Sequence, residues 1–315
     1  MRDIPRLGYG AANLGNLYRA IDDDQAWEIL EAAWRAGIRY FDTAPHYGLG
    51  LSERRLGAFL ATKPRDEFVI STKAGRLLRP VANASGQFDL DNDFAVLADA
   101  ERVWDPTAAG IRRSLDDSLE RLGLDRVDIL FLHDPERYDI ESADRDAYPA
   151  LLALRDEGLV ESVGVGSMSI EALARAASTS GLGTHMVAGR LTLAEQPALG
   201  RVTAAAEANG AAVVAAGVFN SGLLASNTPA VHSRYEYGDV PLALLNRVRG
   251  IAAVCAEHGV DLPTAALQYP LRISPVQSVV VGGSRPAQVT ENAARITTLI
   301  PEELWAQLAE QRLIP

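Results

Sequence analysis

The sequence predicts an α/β fold, a (β/α)8 TIM barrel with long loops at the C-terminal face of its strands. Three observations lead there. Short β-like runs alternate with longer helical patterns along all 315 residues, as parallel strands joined by crossover helices require. Eight such runs occur, each followed by at least one helical pattern, which is the number that closes a barrel. The first run leads into AANLGNLYRA, not into the G-x-G-x-x-G turn that marks a doubly wound dinucleotide-binding sheet. Such barrels commonly occupy about 250 residues or more as one domain, so residues 1–315 are expected to form a single one.

Element by element, the first strand falls within residues 6–12. The first helix is capped by Asp22 to Asp24, carries Trp27, Leu30, Ala33 and Trp34 at helical spacing, and stops at Gly37. IRYFDT is the second strand and SERRLGAFLA the second helix, with Ser52 as its expected cap. The third strand lies in 67–75, a helix in 107–123 and the fourth strand in 126–134. AYPALLALRDEG is helical, 160–167 is the fifth strand, IEALARAAST a helix, HMVAGRLT the sixth strand, VTAAAEANG a helix and AAVVAAGV the seventh strand. Helical patterns at 242–258 and 262–269 precede the eighth strand at 276–283, and PAQVTENAARI and PEELWAQLAEQR close the chain. Two connections, 75–105 and 219–240, exceed the about 12–15 residues of an ordinary loop. Both follow strands, on the face where barrel enzymes keep their sites.

Composition narrows the classes. Apolar residues make up 48% and charged residues 23%, ordinary values for a soluble globular protein. No apolar run nears the roughly 18 residues of a membrane span, and MRDIPRLGYG lacks a signal-peptide core. Cys255 is the only cysteine, which leaves no disulfide framework or thiolate cluster; it is expected to pack inside a helix. The net charge of −11 argues against a nucleic-acid surface, which needs clustered cations. The five histidines show no metal-ligand spacing, so no metal is expected. The expectation is a cytoplasmic monomer or small homo-oligomer with a small-molecule substrate, and with neither nucleic acid nor membrane as partner.

The chemistry gathers at strand ends. Strand two ends in Asp42 with Tyr47 just beyond, strand three in Lys73, strand four in His133 followed by Asp134. Each residue alone has a structural explanation: a turn cap, packing at the barrel mouth, a surface lysine, a core histidine. On consecutive strands of a barrel they ring one opening. A tyrosine, with an ordinary pKa of about 10, works as acid or base near neutrality when a nearby Lys⁺ favours the phenolate. Asp42 would keep a buried Lys73 charged, and a histidine can orient a carbonyl oxygen. This is equipment for proton transfer at a carbonyl, and a hydride carrier would complete it. A metallohydrolase built from Asp42, His46, His133 and Asp134 lacks a His-x-His pair after strand one and leaves Tyr47 and Lys73 without a role.

FDTAPHYG followed by SERRLG, then STK and FLHD, resemble the aldo-keto reductase superfamily over nearly the whole chain. The resemblance implies a (β/α)8 barrel binding NAD or NADP without a Rossmann domain. It implies Tyr47 as proton donor or acceptor, tuned by Lys73 and Asp42, with His133 positioning the substrate carbonyl. Where the family usually reads Gly-x-Ser-Asn to hold the nicotinamide amide, this chain has GVGS, with Ser167 in the Asn position. Arg190 stands where many members carry Gln, and is either a cofactor contact or a barrel salt-bridge residue. NSGLL resembles a pyrophosphate-covering loop and makes Phe219, Asn220, Ser221, Gly222 and Leu223 candidates. GGSRPAQVTEN resembles the adenosine segment, with Gly282, Gly283, Ser284 and Arg285 near the phosphates and Glu291 and Asn292 at the adenine. NADP-preferring members often carry cations where this chain has Gly282 and Gln288. With Arg285 taken as the only nearby cation, NAD is favoured over NADP.

LHDPE, VAGRLTLAEQ and GVFNSGLLA look like a bacterial subgroup of aldose and L-fucose dehydrogenases, related to pyridoxal 4-dehydrogenase and plant L-galactose dehydrogenase. Oxidation of an aldose at C1, or of a related alcohol, is therefore expected, with Tyr47 as base. Candidate substrate contacts are Asn13, Tyr18, His46, Trp104 and Asp134, with Asn220 beside them. Trp104 either walls the pocket or packs the long third loop onto the barrel. A broad aldehyde or ketone reductase is the second reading, and a cofactor-binding redox sensor the third.

Overall fold

The computed structural model of the chain describes residues 3–82, 86–230, 234–235 and 238–315. Eight parallel strands close a barrel in which each strand pairs with its neighbours in sequence: β1 (Leu7–Gly10), β2 (Tyr40–Asp42), β3 (Val69–Ala74), β4 (Val127–His133), β5 (Val160–Ser167), β6 (Thr184–Ala188), β7 (Ala212–Ala216) and β8 (Val276–Val281). Every strand falls at its expected run, and β5 has the expected bounds. The register sets Gly10 beside Asp42, Asp42 beside Ser71, Lys73 beside Phe131 and His133 beside Gly166. The polar strand ends therefore share one rim.

Among the described residues, ten helices surround the barrel: α1 (Asp23–Arg35), α2 (Leu51–Leu60), α3 (Ala108–Leu122), α4 (Tyr148–Asp156), α5 (Ile170–Ala177), α6 (Arg201–Ala208), α7 (Leu242–Glu257), α8 (Leu262–Gln268), α9 (Pro286–Arg295) and α10 (Glu302–Glu310); a three-residue helical turn, Ile140–Ser142, is left out of this numbering. Asp22 caps α1 as expected: it accepts from the Gln25 N–H at 2.8 Å, and its own N–H donates to Gln25 Oε1 at 3.2 Å. Ser52 does not cap α2. That helix starts after Gly50, whose φ is 81°. Ser52 lies inside it, fully buried, donating to the Ala11 carbonyl at 2.7 Å and paired with Thr43 Oγ1 at 2.8 Å. The neighbouring Glu53 is also buried and accepts from Thr72 Oγ1 and Arg121 Nε at 2.7 and 2.6 Å. The Ser-Glu pair thus clamps α2 to the strands and to α3.

The barrel interior is filled by Tyr40, Val69, Ile129, Phe131, Met186, Val214 and Val280. Burying each of the large members contributes about 1.5–3 kcal/mol. A wider apolar layer, with Leu30, Phe59, Leu115 and Leu151, lies between strands and helices. A separate cluster unites α7, α8 and α10 around Val248, Ile251, Leu262, Trp305 and Leu308. Cys255 packs there, its thiol pushed up to about 12 by burial.

The connection 75–105 departs from a plain loop. Arg76–Pro80 and Ala100–Trp104 form an antiparallel hairpin, with Arg76 opposite Trp104. Beyond it the chain returns over the barrel mouth: Phe94 bridges to Leu17, and the Tyr18 N–H donates to the Asp93 carbonyl at 2.7 Å. The segment 219–240 holds a 3-10 turn at Asn220–Gly222 and a short pairing of Arg234–Tyr235 with Gly238–Asp239. Parts of both segments, 83–85, 231–233 and 236–237, lie outside the described residues. Among the described residues no helix is long and apolar enough to cross a membrane.

Candidate active site

At the end of β2 the chain turns sharply and delivers Tyr47 to the rim. Gly48 makes the turn possible: its φ is 60°, and a Cβ there would lie 2.2 Å from the Gly15 carbonyl oxygen. Lys73, from β3, reaches inward and donates to Asp42 Oδ2 and to the Thr43 carbonyl, both at 2.8 Å. Ser71 fixes the other carboxylate oxygen, Asp42 Oδ1, at 2.7 Å and pairs with the Tyr40 hydroxyl at 3.0 Å. Both ends of the ion pair are buried, with 3% and 4% of the side chains exposed. Lys73 Nζ lies 4.8 Å from the centre of the Tyr47 ring, and the His133 ring stands perpendicular to that ring at 6.0 Å between centres.

Electrostatics follow from burial. Burial alone would lower the Lys73 pKa, but Asp42 and Tyr47 outweigh it and hold the ammonium above its usual value. For Tyr47 the balance differs from the sequence expectation. Burial raises the phenol above its ordinary value, and Lys73 pulls it back without cancelling the rise. Lys73 acts in the expected direction, but desolvation is the larger effect. His133 is driven well below its ordinary value by burial, then by the charges of Arg76 and Lys73. Burial and the same cations bring His46 down to about 2. Both imidazoles are therefore neutral at pH 7.

A cavity of about 280 Å³ opens over this cluster, lined among others by Asn13, Asp42, Tyr47, Lys73, His133, Asp134 and Ser167. Asn13 and Gly282 also line a second cavity, of about 740 Å³, so the two adjoin. The second runs past Tyr18, Phe219 and Gly222 to Gly283, Ser284, Arg285, Gln288, Glu291 and Asn292. The two stretches expected to hold a dinucleotide, about 60 residues apart in sequence, thus face one space that runs along α9 from its N-terminus, where negative charge is favoured. Asn220 and Ser221, both at positive φ, line a smaller hollow with Tyr18.

Four candidates lie elsewhere. Leu223 is buried in the cluster of α7 and α8, because its side chain turns into the apolar core. Arg190 does not line these cavities; its Nε donates to the Met168 carbonyl at 3.2 Å. Trp104 stacks on Tyr138 at 4.8 Å and packs against Gly75, so it anchors the hairpin and does not wall the cavity. His46 stands behind the tyrosine, its ring against Phe94 at 5.3 Å and His133 at 5.6 Å.

Several residues of the site carry no local signal in the sequence. Buried Arg76 donates to Asp134 Oδ2 at 2.6 Å, and Asp134 sits at a strained φ of 44°. Arg102 binds Asp89 and donates to the His46 carbonyl at 3.0 Å, tying the hairpin to the tyrosine turn. Arg285 is not the only cation near the far cavity. Arg295 lines it, and Arg19 donates to the Ser284 carbonyl at 3.1 Å. Arg19 precedes α1, so only the folded chain brings it there, whereas Arg295 lies one helical turn after Glu291 on α9.

A model of the Aldo/keto reductase family matches residues 6–312. The chain is 60% identical to the D-threo-aldose 1-dehydrogenase of Pseudomonas sp. over 314 residues, covering 99% of this chain and 95% of that protein. It is 35% identical to the pyridoxal 4-dehydrogenase of Microbacterium luteolum over 328 residues, covering 99% and 95%. The solved structure of the glycerol dehydrogenase of Gluconobacter oxydans superposes with a TM-score of 0.76 at 22% identity, covering 98% of this chain and 93% of that one, a likeness of fold.

Proposed function

Because the chain belongs to the aldo/keto reductase family, we propose that this oxidoreductase oxidises the anomeric carbon of an aldose to a lactone, passing hydride to NAD(P)⁺. The observation that carries the reading is the cluster of Asp42, Tyr47, Lys73 and His133 around a cavity that adjoins the longer one. The 60% identity to a D-threo-aldose 1-dehydrogenase supports a sugar of that class. We read 1–315 as one catalytic domain, in keeping with the extent of the family match.

Tyr47 takes the proton of the anomeric hydroxyl as the C1–H bond breaks. Lys73, held charged by Asp42, stabilises the phenolate that must be present to accept that proton, and Ser71 keeps Asp42 in place. Neutral His133 hydrogen-bonds the anomeric oxygen as its bond to carbon becomes double. In reverse, Tyr47 returns the proton. The residues present fit a dinucleotide: two adjoining cavities, glycines where backbone must approach an anion, and arginines at the far end. The nicotinamide ring supplies the hydride acceptor when bound. Gly282, Gly283 and Ser284 would hold the phosphates, and Phe219 and Gly222 would cover them.

NAD is favoured. The Gln288 side-chain oxygen accepts from the Ser284 N–H at 2.9 Å, Arg19 is engaged with the Ser284 carbonyl and Arg295 with Asp261 and Glu291, which leaves Arg285 for a 2′-phosphate. Asp134 presents an oxygen to the cavity with which to accept a sugar hydroxyl, the other being held by Arg76.

The test is NAD⁺ and NADP⁺ reduction across L-fucose, D-arabinose, L-galactose and pyridoxal, with NADH and NADPH oxidation measured on simple aldehydes. Turnover confined to the sugars supports the proposal. Pyridoxal as best substrate would favour a pyridoxal 4-dehydrogenase activity instead, suggested by the 35% relative. A strong NADP⁺ preference lost in Arg285→Ala would reverse the cofactor assignment.

A further inference from the structure

One buried carboxylate has no part in the mechanism above. Glu136 follows β4, and its Oε1 accepts a hydrogen bond from Ser167 Oγ at 2.7 Å. Its other oxygen, Oε2, is buried with no hydrogen-bond partner among the described residues. A carboxylate kept only for stability would not leave an oxygen unmatched, since an unsatisfied buried group costs about 1–3 kcal/mol. Burial raises the Glu136 carboxyl above its usual value, and the Ser167 hydrogen bond opposes that rise.

The effect falls on Ser167. A serine hydroxyl has one hydrogen to donate and two lone pairs to accept with. The hydrogen is committed to Glu136, whose Oε1 accepts it. One lone pair takes the Ser169 N–H at 2.8 Å. One lone pair is left, on a side chain that lines the cavity beside Tyr47 and His133.

We propose that Glu136 is a positioning residue that makes Ser167 an acceptor-only contact, selecting a hydrogen-bond donor on the cofactor's nicotinamide. The proposal rests on the reading that the nicotinamide occupies the cavity at the tetrad. The one donor on the nicotinamide itself is the carboxamide NH2, so that group, and not the carboxamide oxygen, meets Ser167. A ring anchored in this way presents one fixed orientation to the substrate carbon.

The test uses the full chain and binding alone. Affinities for NADH or NADPH, whichever binds more tightly, and for its reduced 3-acetylpyridine analogue are measured by fluorescence titration at pH 8. In the analogue a methyl group replaces the NH2, so it cannot donate. Wild type should bind the analogue about fivefold more weakly, the worth of one ordinary hydrogen bond. In Glu136→Ala the freed hydroxyl can turn and donate to the acetyl oxygen, so the gap should shrink to about twofold or less. Ser167→Ala, which removes the contact without touching Glu136, should shrink it equally. A full gap in folded Glu136→Ala, or no gap in wild type, overturns the proposal. If Glu136→Ala does not fold, a gap that survives Ser167→Ala overturns it. A wild type that binds neither reduced dinucleotide overturns the proposed function and this inference together.

Discussion

Replacing Lys73 with methionine, which keeps most of its volume and removes its charge, separates the two jobs assigned to the ammonium. The first is structural. Asp42 would stay buried with Ser71 as its remaining side-chain donor, and an uncompensated buried charge costs about 3–5 kcal/mol. For a chain of 315 residues that is a fall in melting temperature of about 5–8 °C. The second is chemical. Nζ lies 4.8 Å from the Tyr47 ring centre, and at an effective dielectric constant of about 20 the attraction to a phenolate there is about 3.5 kcal/mol. Its loss raises the tyrosine pKa further, because Lys73 is the largest effect opposing burial. Sugar oxidation needs Tyr47 deprotonated, so the rising limb of kcat/KM against pH should move to higher pH in Lys73→Met, with rates on that limb lower by up to about 10²–10³-fold. Adding Asp42→Asn removes the stranded charge. The double variant should regain most of the melting temperature while keeping the displaced pH limb. A Lys73→Met enzyme with the wild-type pH limb refutes the electrostatic role, and one that melts like wild type refutes the buried pair.

Asp134→Asn should lower kcat/KM for aldoses by about 10- to 100-fold, the worth of a hydrogen bond to a charged group, and leave a simple aldehyde nearly unaffected; equal losses on both would contradict a hydroxyl contact. Glu53→Ala should cost about 3–5 kcal/mol by leaving Arg121 without its buried partner, read as a lower melting temperature with kcat unchanged where the protein is folded. His46, His133 and His185 all have lowered pKa values, about 2 for His46 and about 4 for His185. The unfolded chain therefore binds more protons below pH 6.5, and stability falls as pH drops through that value, by up to about 1.4 kcal/mol per pH unit for each group. Melting temperatures between pH 7 and pH 5 should show this fall, reduced in His46→Gln; a flat profile would contradict it.

Much of the site was legible because a parallel barrel sorts residues by strand end. Asp42, Lys73 and His133 close successive strands, so placing the strands placed the residues. The glycine-rich segment after β8 was legible for a similar reason, since strand, turn and helix follow without interruption. What escaped depended on longer excursions. Arg76 and Trp104 lie 28 positions apart but face each other across a hairpin, and no local pattern predicts that pairing. Ser52 looked like a cap because serine before a helical run usually is one; the left-handed Gly50 moved the helix start, and tertiary contacts claimed the hydroxyl. The net direction at Tyr47 was missed because desolvation depends on burial, which the sequence near the tyrosine does not reveal.

The central claim, that Tyr47 moves the proton while hydride leaves the anomeric carbon, is tested most directly by comparing Tyr47→Phe with wild type in NAD(P)⁺ reduction by an aldose, with cofactor affinity titrated in parallel. Wild type should give one lactone per reduced cofactor, and the variant should lose about 10²–10⁴-fold in kcat with cofactor affinity unchanged. Turnover at the wild-type rate in Tyr47→Phe would contradict it.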